Sequence, residues 1–274
     1  METRKLTHHQ NMAAPADAAL LTGNDAICYS VLKSILHRPN RCLLTDHTDV
    51  IVCHSCDPYP VWVWIRASAP DAAVSAAAEA LRMHLPAEAG YHYILTRDAL
   101  ARLSAADPYF AALKEEMGVL SYRCDRLLPP AKMCGGQFCA AAPEDTGLLA
   151  QMWRDAAYEM EGHRHDDAVC RDKVSAQIAS GTLFVWRTDN GEIAAMTARA
   201  DVPDTDFSKI NSVYTLPQYR RRGYAQHLVH AVSDGIFRCG RTPILYPDAG
   251  YAASNDCYRA IGFAVVGQLC KVMH

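Results

Sequence analysis

Residues 213–228 hold the densest chemistry in the chain: Val213-Tyr214-Thr215-Leu216-Pro217-Gln218-Tyr219-Arg220-Arg221-Arg222-Gly223-Tyr224-Ala225-Gln226-His227-Leu228. The start reads as a β-strand, the arginines and glycine as a turn, and the end as an amphipathic helix. A helix that begins in such a turn leaves its first N–H groups without carbonyl partners, and these can hold phosphate oxygens. Gly223 and Ala225 are small enough to let the backbone come close. The N–H groups of Arg221 to Gln226 would point at the ligand, and arginine side chains would add charge-assisted hydrogen bonds. The expected chemistry is a cradle for a pyrophosphate. A solvated basic turn is the plain alternative, because short basic loops with one glycine are common.

The elements around this turn can be read from periodicity. Gln137 to Ala141 suits a strand, and Pro143-Glu144-Asp145 opens a helix with acid in its first turn. Leu149, Met152, Trp153, Ala156 and Met160 give that helix one apolar face. A polar loop, Glu161 to Asp167, leads to a second helix ending near Ser180-Gly181. Strands follow over Thr182 to Arg187, Ile193 to Ala200 and Ser208 to Thr215, with Asp189-Asn190-Gly191 as a hairpin turn. After the arginine turn come a helix through Ile236, a strand at Pro243 to Tyr246, a helix at Ala252 to Ile261 and a last strand from Phe263 to Val266. The order is βααβββαβαβ.

Two prolines and two glycines in Leu127 to Gly136 mark a linker. It separates an amino-terminal domain, 1–130, from a second domain, 135–274. In the first, a helix is expected over Ala16 to Leu36, with strands at Val50 to Cys53 and Val61 to Ile65. Trp62 and Trp64 alternate with valines, as in a strand buried on both faces. Ser68 is placed to cap a helix from Pro70 to about Leu85, with Asp71 as its capping-box partner. Strands near Tyr91 to Leu95 and Val119 to Cys124 complete an order like that of the second half, so the first half reads as a diverged copy. Its junction, Ile65-Arg66-Ala67-Ser68-Ala69-Pro70, lacks glycine and has one arginine, so it is expected to hold no cofactor.

Composition limits the function classes. The 274 residues suffice for one large or two modest domains, and 50% apolar with 21% charged residues is ordinary for a soluble protein. A net charge of −3 makes nucleic acid or a membrane surface an unsuited main partner. Eleven irregularly spaced cysteines do not read as a disulfide scaffold, which points to reduced thiols and a cytoplasmic location. The polar stretch Met1 to Gln10 does not resemble a signal peptide, and no run approaches a membrane span.

The turn from Arg220 to Ala225 fits the pattern of arginine or glutamine, two residues, glycine, one residue, then glycine or alanine. It resembles the acyl-coenzyme A motif of the GNAT N-acyltransferase superfamily, and the likeness runs from about Gln137 to the end. Ser254-Asn255-Asp256-Cys257-Tyr258-Arg259-Ala260-Ile261-Gly262-Phe263 is similar to that family's closing motif. The resemblance implies an α+β fold: a mixed, mostly antiparallel sheet flanked by helices, in two tandem domains. It implies that Val213, Tyr214, Thr215, Arg220, Arg221, Arg222, Gly223, Tyr224, Ala225, Gln226 and Asn255 face acetyl-CoA. It also implies that Tyr258 protonates the departing thiolate, as a phenol can. Many members have asparagine seven residues before this tyrosine; here that position is Tyr251, and Asn255 is the substitute. The activity implied is acetyl transfer from acetyl-CoA to a primary amine, on a small molecule or a peptide, by direct attack. A covalent acyl-cysteine route is disfavoured, because Cys257 faces differently from Tyr258 on a helix.

Candidates for a general base are Glu159, Glu161, His163, His165 and Asp206; solvated loop charges are the plain reading of each. Cys53-His54-Ser55-Cys56 has metal-like spacing but no second pair, and a structural zinc needs four ligands. Glu161 to Asp167 could hold a cation, yet an exposed acidic loop explains it equally. No metal is expected. Two other functions remain: a non-catalytic acyl-CoA sensor, and a nucleotide-binding protein using the same turn.

Overall fold

The computed structural model describes residues 6–131, 133–161 and 165–274, without the side chains of Met160 and Glu161. In the first half the elements are β1 Thr7–His9, α1 Pro15–Ala18, α2 Gly23–Cys28, α3 Ser30–Ile35, β2 Cys42–Thr45, β3 Val50–His54, β4 Val61–Ile65, α4 Asp71–His84, β5 Tyr93–Leu95, α5 Arg97–Ala106 and β6 Lys114–Cys124. The second half has β7 Gln137–Ala140, α6 Thr146–Glu161, α7 Asp167–Ala179, β8 Leu183–Arg187, β9 Ile193–Asp201, β10 Phe207–Thr215, α8 Tyr224–Arg238, β11 Thr242–Leu245, α9 Ala252–Ala260 and β12 Phe263–Met273. A strand, helices, three strands, then helix, strand, helix, strand: both halves follow this order.

All these strands join one sheet, in the order β1-β2-β3-β4-β5-β12-β6-β11-β10-β9-β8-β7. Only β4 with β5 and β10 with β11 run parallel; the remaining pairs are antiparallel. The last strand of each half is exchanged. β6 lies against β11, and β12 lies between β5 and β6. β12 therefore runs to Met273, well past the expected end at Val266, because its second part pairs with β5 through Cys270, Lys271 and Val272. A register shift at Val265 to Gly267 lets one strand serve both halves.

The expected helix over Ala16 to Leu36 is three short helices instead. Leu20 to Thr22 interrupts it, Gly23 takes φ +55°, and Tyr29 leaves helical geometry between α2 and α3. Ser68 does not cap α4: Pro70 takes the N-cap position, and no side chain bonds the first turn. β1 and β2 extend the sheet at one edge beyond the strands read from sequence.

The face of the sheet beneath α8 is a cluster of Leu228, Val229, Val232 and Ile236 with Ile210, Leu245, Tyr258 and Phe263. Each such buried aliphatic side chain contributes about 1.5–3 kcal/mol. On the opposite face α6 and α7 cover β8 and β9, with Leu149, Met152, Cys170 and Val174 against Val185, Met196 and Ala198. Next to them, still on that face, α2 meets the second half: Ile27 packs with Val202, Ile244 and Phe207. Among the described residues no helix is long and apolar enough to cross a membrane.

Candidate active site

β10 and β11 are paired only from Phe207–Thr242 to Ile210–Leu245. Beyond that point they separate, for reasons that can be read from each strand. On β10, Asn211 pairs with Ala198 and Tyr214 with Met196, so Ser212 and Val213 together face Thr197. This is a β-bulge, and Ser212 adopts φ +53° within it. On the other side, the chain after β11 turns toward β6: Leu120 N–H donates to Pro247 O at 3.0 Å, and Ala249 N–H donates to Gly118 O at 2.8 Å. Asn211 to Thr215 consequently have no strand partner on the β11 side. The cleft so opened has β10 as one wall and a wall braced by the first half's β6 as the other.

The arginine turn closes the open end of this cleft. Pro217–Tyr219 forms a single 3-10 turn, and Gly223 is the N-cap of α8 at φ +88°. A Cβ on Gly223 would meet nothing closer than 3.8 Å, so glycine is required there by conformation, not by space. The first helical bond is His227 N–H to Gly223 O, at 3.1 Å. The N–H groups of Tyr224, Ala225 and Gln226 thus have no helical partner. Arg221 and Arg222 are exposed, and Arg222 lies over the Tyr219 ring at 5.6 Å. Among the described residues neither makes an ion pair.

Arg220 differs from its two neighbours. Its Nη2 donates to both carboxylate oxygens of Glu159 at 2.8 Å, and its Nε donates to Thr215 O at 3.1 Å. It also lies over the Tyr214 ring, whose hydroxyl donates to Glu159 at 2.9 Å. The hydrogen bond with Glu159 holds the Arg220 pKa above its ordinary value. Burial, reinforced by that carboxylate, pushes Tyr214 up to about 12. Of the residues expected to face a cofactor, Arg220 and Tyr214 therefore turn their polar ends to α6.

Tyr258 stands on α9 behind the cleft, 7% exposed, with its ring near those of Tyr122 and Phe263. Burial raises its pKa strongly, and the neighbouring Cys257 adds to this, so the phenol stays protonated through the neutral range. Asn255 is buried and ties the structure together: its Nδ2 donates to Asp248 O at 2.9 Å and Tyr251 O at 3.0 Å, and its Oδ1 accepts from Tyr122 at 3.1 Å. Its side chain fixes the wall loop rather than pointing to open space. Gln226 donates to Cys257 O at 3.4 Å and links α8 to α9. Burial pushes the Cys257 thiol up to about 11, which leaves it a protonated, weak nucleophile at neutral pH. Just past the end of α9, Gly262 takes φ +102°, and a Cβ there would come within 2.1 Å of Arg126 O. The glycine lets the linker cross the helix end, which holds Tyr258 in place.

The first half has no equivalent cradle, for a reason the sequence does not show. Arg102, on α5, reaches into the turn before α4 and donates to Arg66 O at 3.2 Å, to Ala67 O at 3.3 Å and to Ala69 O. This turn presents carbonyls inward to a guanidinium, the reverse of what a phosphate needs.

Among the general-base candidates, Glu159 is held by Arg220 and Tyr214, and His165 packs against Trp153 at 4.8 Å. Asp206 lies at the far end of β10, about 13 Å along the strand from Ile210. Glu161's side chain and His163 lie outside the described residues, as does most of the acidic loop considered for a cation. Cys53 is buried on β3 and Cys56 is exposed. Among the described residues no group of three or more His, Cys, Asp or Glu side chains could hold a metal ion. Two features of this region escape sequence reading: the brace from β6, and the burial of Lys209 on β10. An alternating strand with one lysine reads as half solvated, and pairing across more than a hundred residues leaves no local signal.

Residues 185–272, from β8 to β12, match the model of the FR47-like protein family. No curated protein matches the sequence. Among solved structures, a GCN5-related N-acetyltransferase from Sphaerobacter thermophilus is similar over 100% of this chain and 96% of its own, with TM-score 0.69 and 14% identity. A GCN5-related N-acetyltransferase from Kribbella flavida is similar over 90% of this chain and 93% of its own, with TM-score 0.63 and 18% identity. A GNAT-family acetyltransferase from Colwellia psychrerythraea follows at TM-score 0.55 and 11% identity, over 82% of this chain and 81% of its own. The chain has the GNAT acetyltransferase fold, with the FR47-like family match in its second half.

Proposed function

We propose that the protein is an N-acetyltransferase that moves an acetyl group from acetyl-CoA to a primary amine, with residues 135–274 as the catalytic unit and residues 1–130 as a degenerate copy that braces it. The observation that carries this reading is one alignment of parts: a turn of unpaired N–H groups, a strand cleft leading from it, and a buried phenol behind the cleft. The turn from Arg221 to Gln226 receives the pyrophosphate, with Arg221 and Arg222 supplying charge. From Thr215 to Ile210 the cleft runs about 17 Å along β10, enough for an extended pantetheine arm. The arm therefore carries the thioester into the bulge from Asn211 to Val213, next to the apex of the cleft.

At the apex the neutral amine nitrogen attacks the thioester carbonyl and gives one proton to water, while the carbon–sulfur bond breaks. The carbonyl oxygen gains negative charge, and backbone N–H groups of the unpaired segment around Val213 are placed to stabilise it. Tyr258 gives its proton to the departing thiolate and recovers one from solvent. A protonated phenol and an unreactive Cys257 both favour direct attack over an acyl-cysteine route. All eleven cysteines are free thiols, which supports a cytoplasmic setting.

A second reading, an acyl-CoA sensor without catalysis, is favoured by one observation: Glu159, a general-base candidate beside the turn, is already paired with Arg220. Melting experiments with coenzyme A and with ATP test ligand identity, and release of free thiol from acetyl-CoA with an amine panel tests transfer. Stabilisation by coenzyme A with thiol release supports the enzyme. Stabilisation without release on any amine favours the sensor, and stabilisation by ATP alone rejects both.

A further inference from the structure

The enzyme reading leaves one group unused at the cleft apex. Lys209 precedes Ile210, the last β10 residue paired with β11. Ile210 packs under α8, so by strand alternation Lys209 points to the other face, as Phe207 and Asn211 do. That face is bordered by α2 of the first half, whose Ile27 packs with Phe207, and by α6 and α7 of the second. Lys209 is surrounded on most sides but keeps partial contact with solvent, the situation of a group on the floor of a cleft. Among the described residues its ammonium has no hydrogen bond or ion pair. The charge that acts on it is a second cation, Lys173 of α7, whose Nζ lies 4.0 Å above the Trp153 ring.

An ammonium on a solvent-reaching floor, with no carboxylate bonded to it among the described residues, describes an anion site. Burying an ammonium without a partner is unfavourable, and a bound anion removes that cost. The location decides what the anion belongs to. α8 and α9 cover the face of the cleft on which Tyr258 waits for the sulfur, so the acceptor amine has the Lys209 face for its approach. A lysine side chain spans roughly 6 Å, and neighbouring strand residues are ~3.3 Å apart. An anion on Lys209 thus lies within a few bonds of an amine at the apex.

We propose that the acceptor is an amine bearing a carboxylate, an amino acid, and that Lys209 binds the carboxylate. This rests on the enzyme reading above. The test compares amino acids with their carboxamides and with their decarboxylated amines, for the wild type and for Lys209→Met and Lys209→Arg. Carboxamides separate the charge from amine basicity, because their amines are less basic and a larger fraction is unprotonated at neutral pH. We expect kcat/KM for the amino acid to exceed that of both analogues at least tenfold. Lys209→Met should bring it down to the analogues' level through KM, with the KM for acetyl-CoA unchanged, and Lys209→Arg should restore part of it. In parallel, amino acids should raise the Tm of the coenzyme A complex in the wild type and not in Lys209→Met. If no amine releases thiol, the enzyme reading fails while this second measurement still reports on the anion site. Equal use of carboxamide and amino acid, or equal stabilisation of wild type and Lys209→Met by carboxylates, overturns the proposal.

Discussion

The Arg220 guanidinium grips the Glu159 carboxylate through two hydrogen bonds of 2.8 Å, joining the end of α6 to the turn that precedes α8. The same carboxylate accepts the Tyr214 hydroxyl, and Arg220 also bonds Thr215 O. On the proposed function, Glu159 is thereby a positioning residue for the cradle. Replacing it with glutamine should weaken coenzyme A binding roughly three- to tenfold, the scale of one charge-assisted contact. The shape of the pH–rate profile should persist. A hundredfold fall in kcat with loss of the acidic limb would instead make Glu159 the base.

Gly223 holds φ +88° in open space. Alanine there should cost about 1–2 kcal/mol in left-handed geometry, with asparagine milder and valine worse. Urea denaturation gives the stability change, and titration with coenzyme A gives the accompanying loss of affinity. A substitution series that tracks side-chain volume instead of left-handed propensity would contradict this account.

Arg102 satisfies three carbonyls of the first-half turn. Arg102→Met should destabilise the protein by about 2 kcal/mol, the scale of hydrogen bonds to a charged group. It should not create a second coenzyme site, because the turn's carbonyls still point inward. Calorimetric titration should give one coenzyme A per chain for both proteins; two per chain would refute the account of this half.

Lys209 provides a pH signature. Burial, with Lys173 adding to it, lowers its pKa from 10.5 to about 8. Between those values the unfolded chain holds a proton that the folded chain has released, so stability from this group rises with pH across that window. The unfavourable burial of its charge is fully present below pH 8. Lys209→Met should therefore melt above the wild type at pH 7, and the gap should narrow from pH 8 to pH 10. A gap that is constant or widens would show that Lys209 is not held in this way.

Much of the second half was legible because its signals are local. The strand entering Leu216-Pro217, the glycine at 223 and the apolar face from Leu228 to Ile236 each depend on residues within a turn or two. The bulge was not legible: nothing in Asn211-Ser212-Val213 marks an extra residue until Ala198 and Met196 are seen opposite. Cys42 to Thr45, four buried residues without alternation, carry no period to detect. β12 was read too short because Gly267 looks like an end, whereas it lies at the register shift and leaves room for Cys28, whose sulfur would be 2.3 Å from a Cβ there. The exchange of β6 and β12 depends on partners from opposite halves, and Tyr246 adds to it by donating to Ile27 O, with the Ser30 hydroxyl hydrogen-bonded to the same phenol oxygen at 2.7 Å. These contacts make the first half part of the site's wall, which no single segment announces.

The central claim is that a coenzyme thioester lies between β10 and β11 with Tyr258 at its sulfur. Its most direct test is acceptor-dependent thiol release from acetyl-CoA by the wild type and by Tyr258→Phe, with coenzyme A affinity measured on both. The account predicts that the variant binds coenzyme A as tightly as the wild type while kcat falls about 10²- to 10⁴-fold, the range for loss of a general acid. Equal kcat for the two proteins, or a loss confined to coenzyme binding, would contradict it.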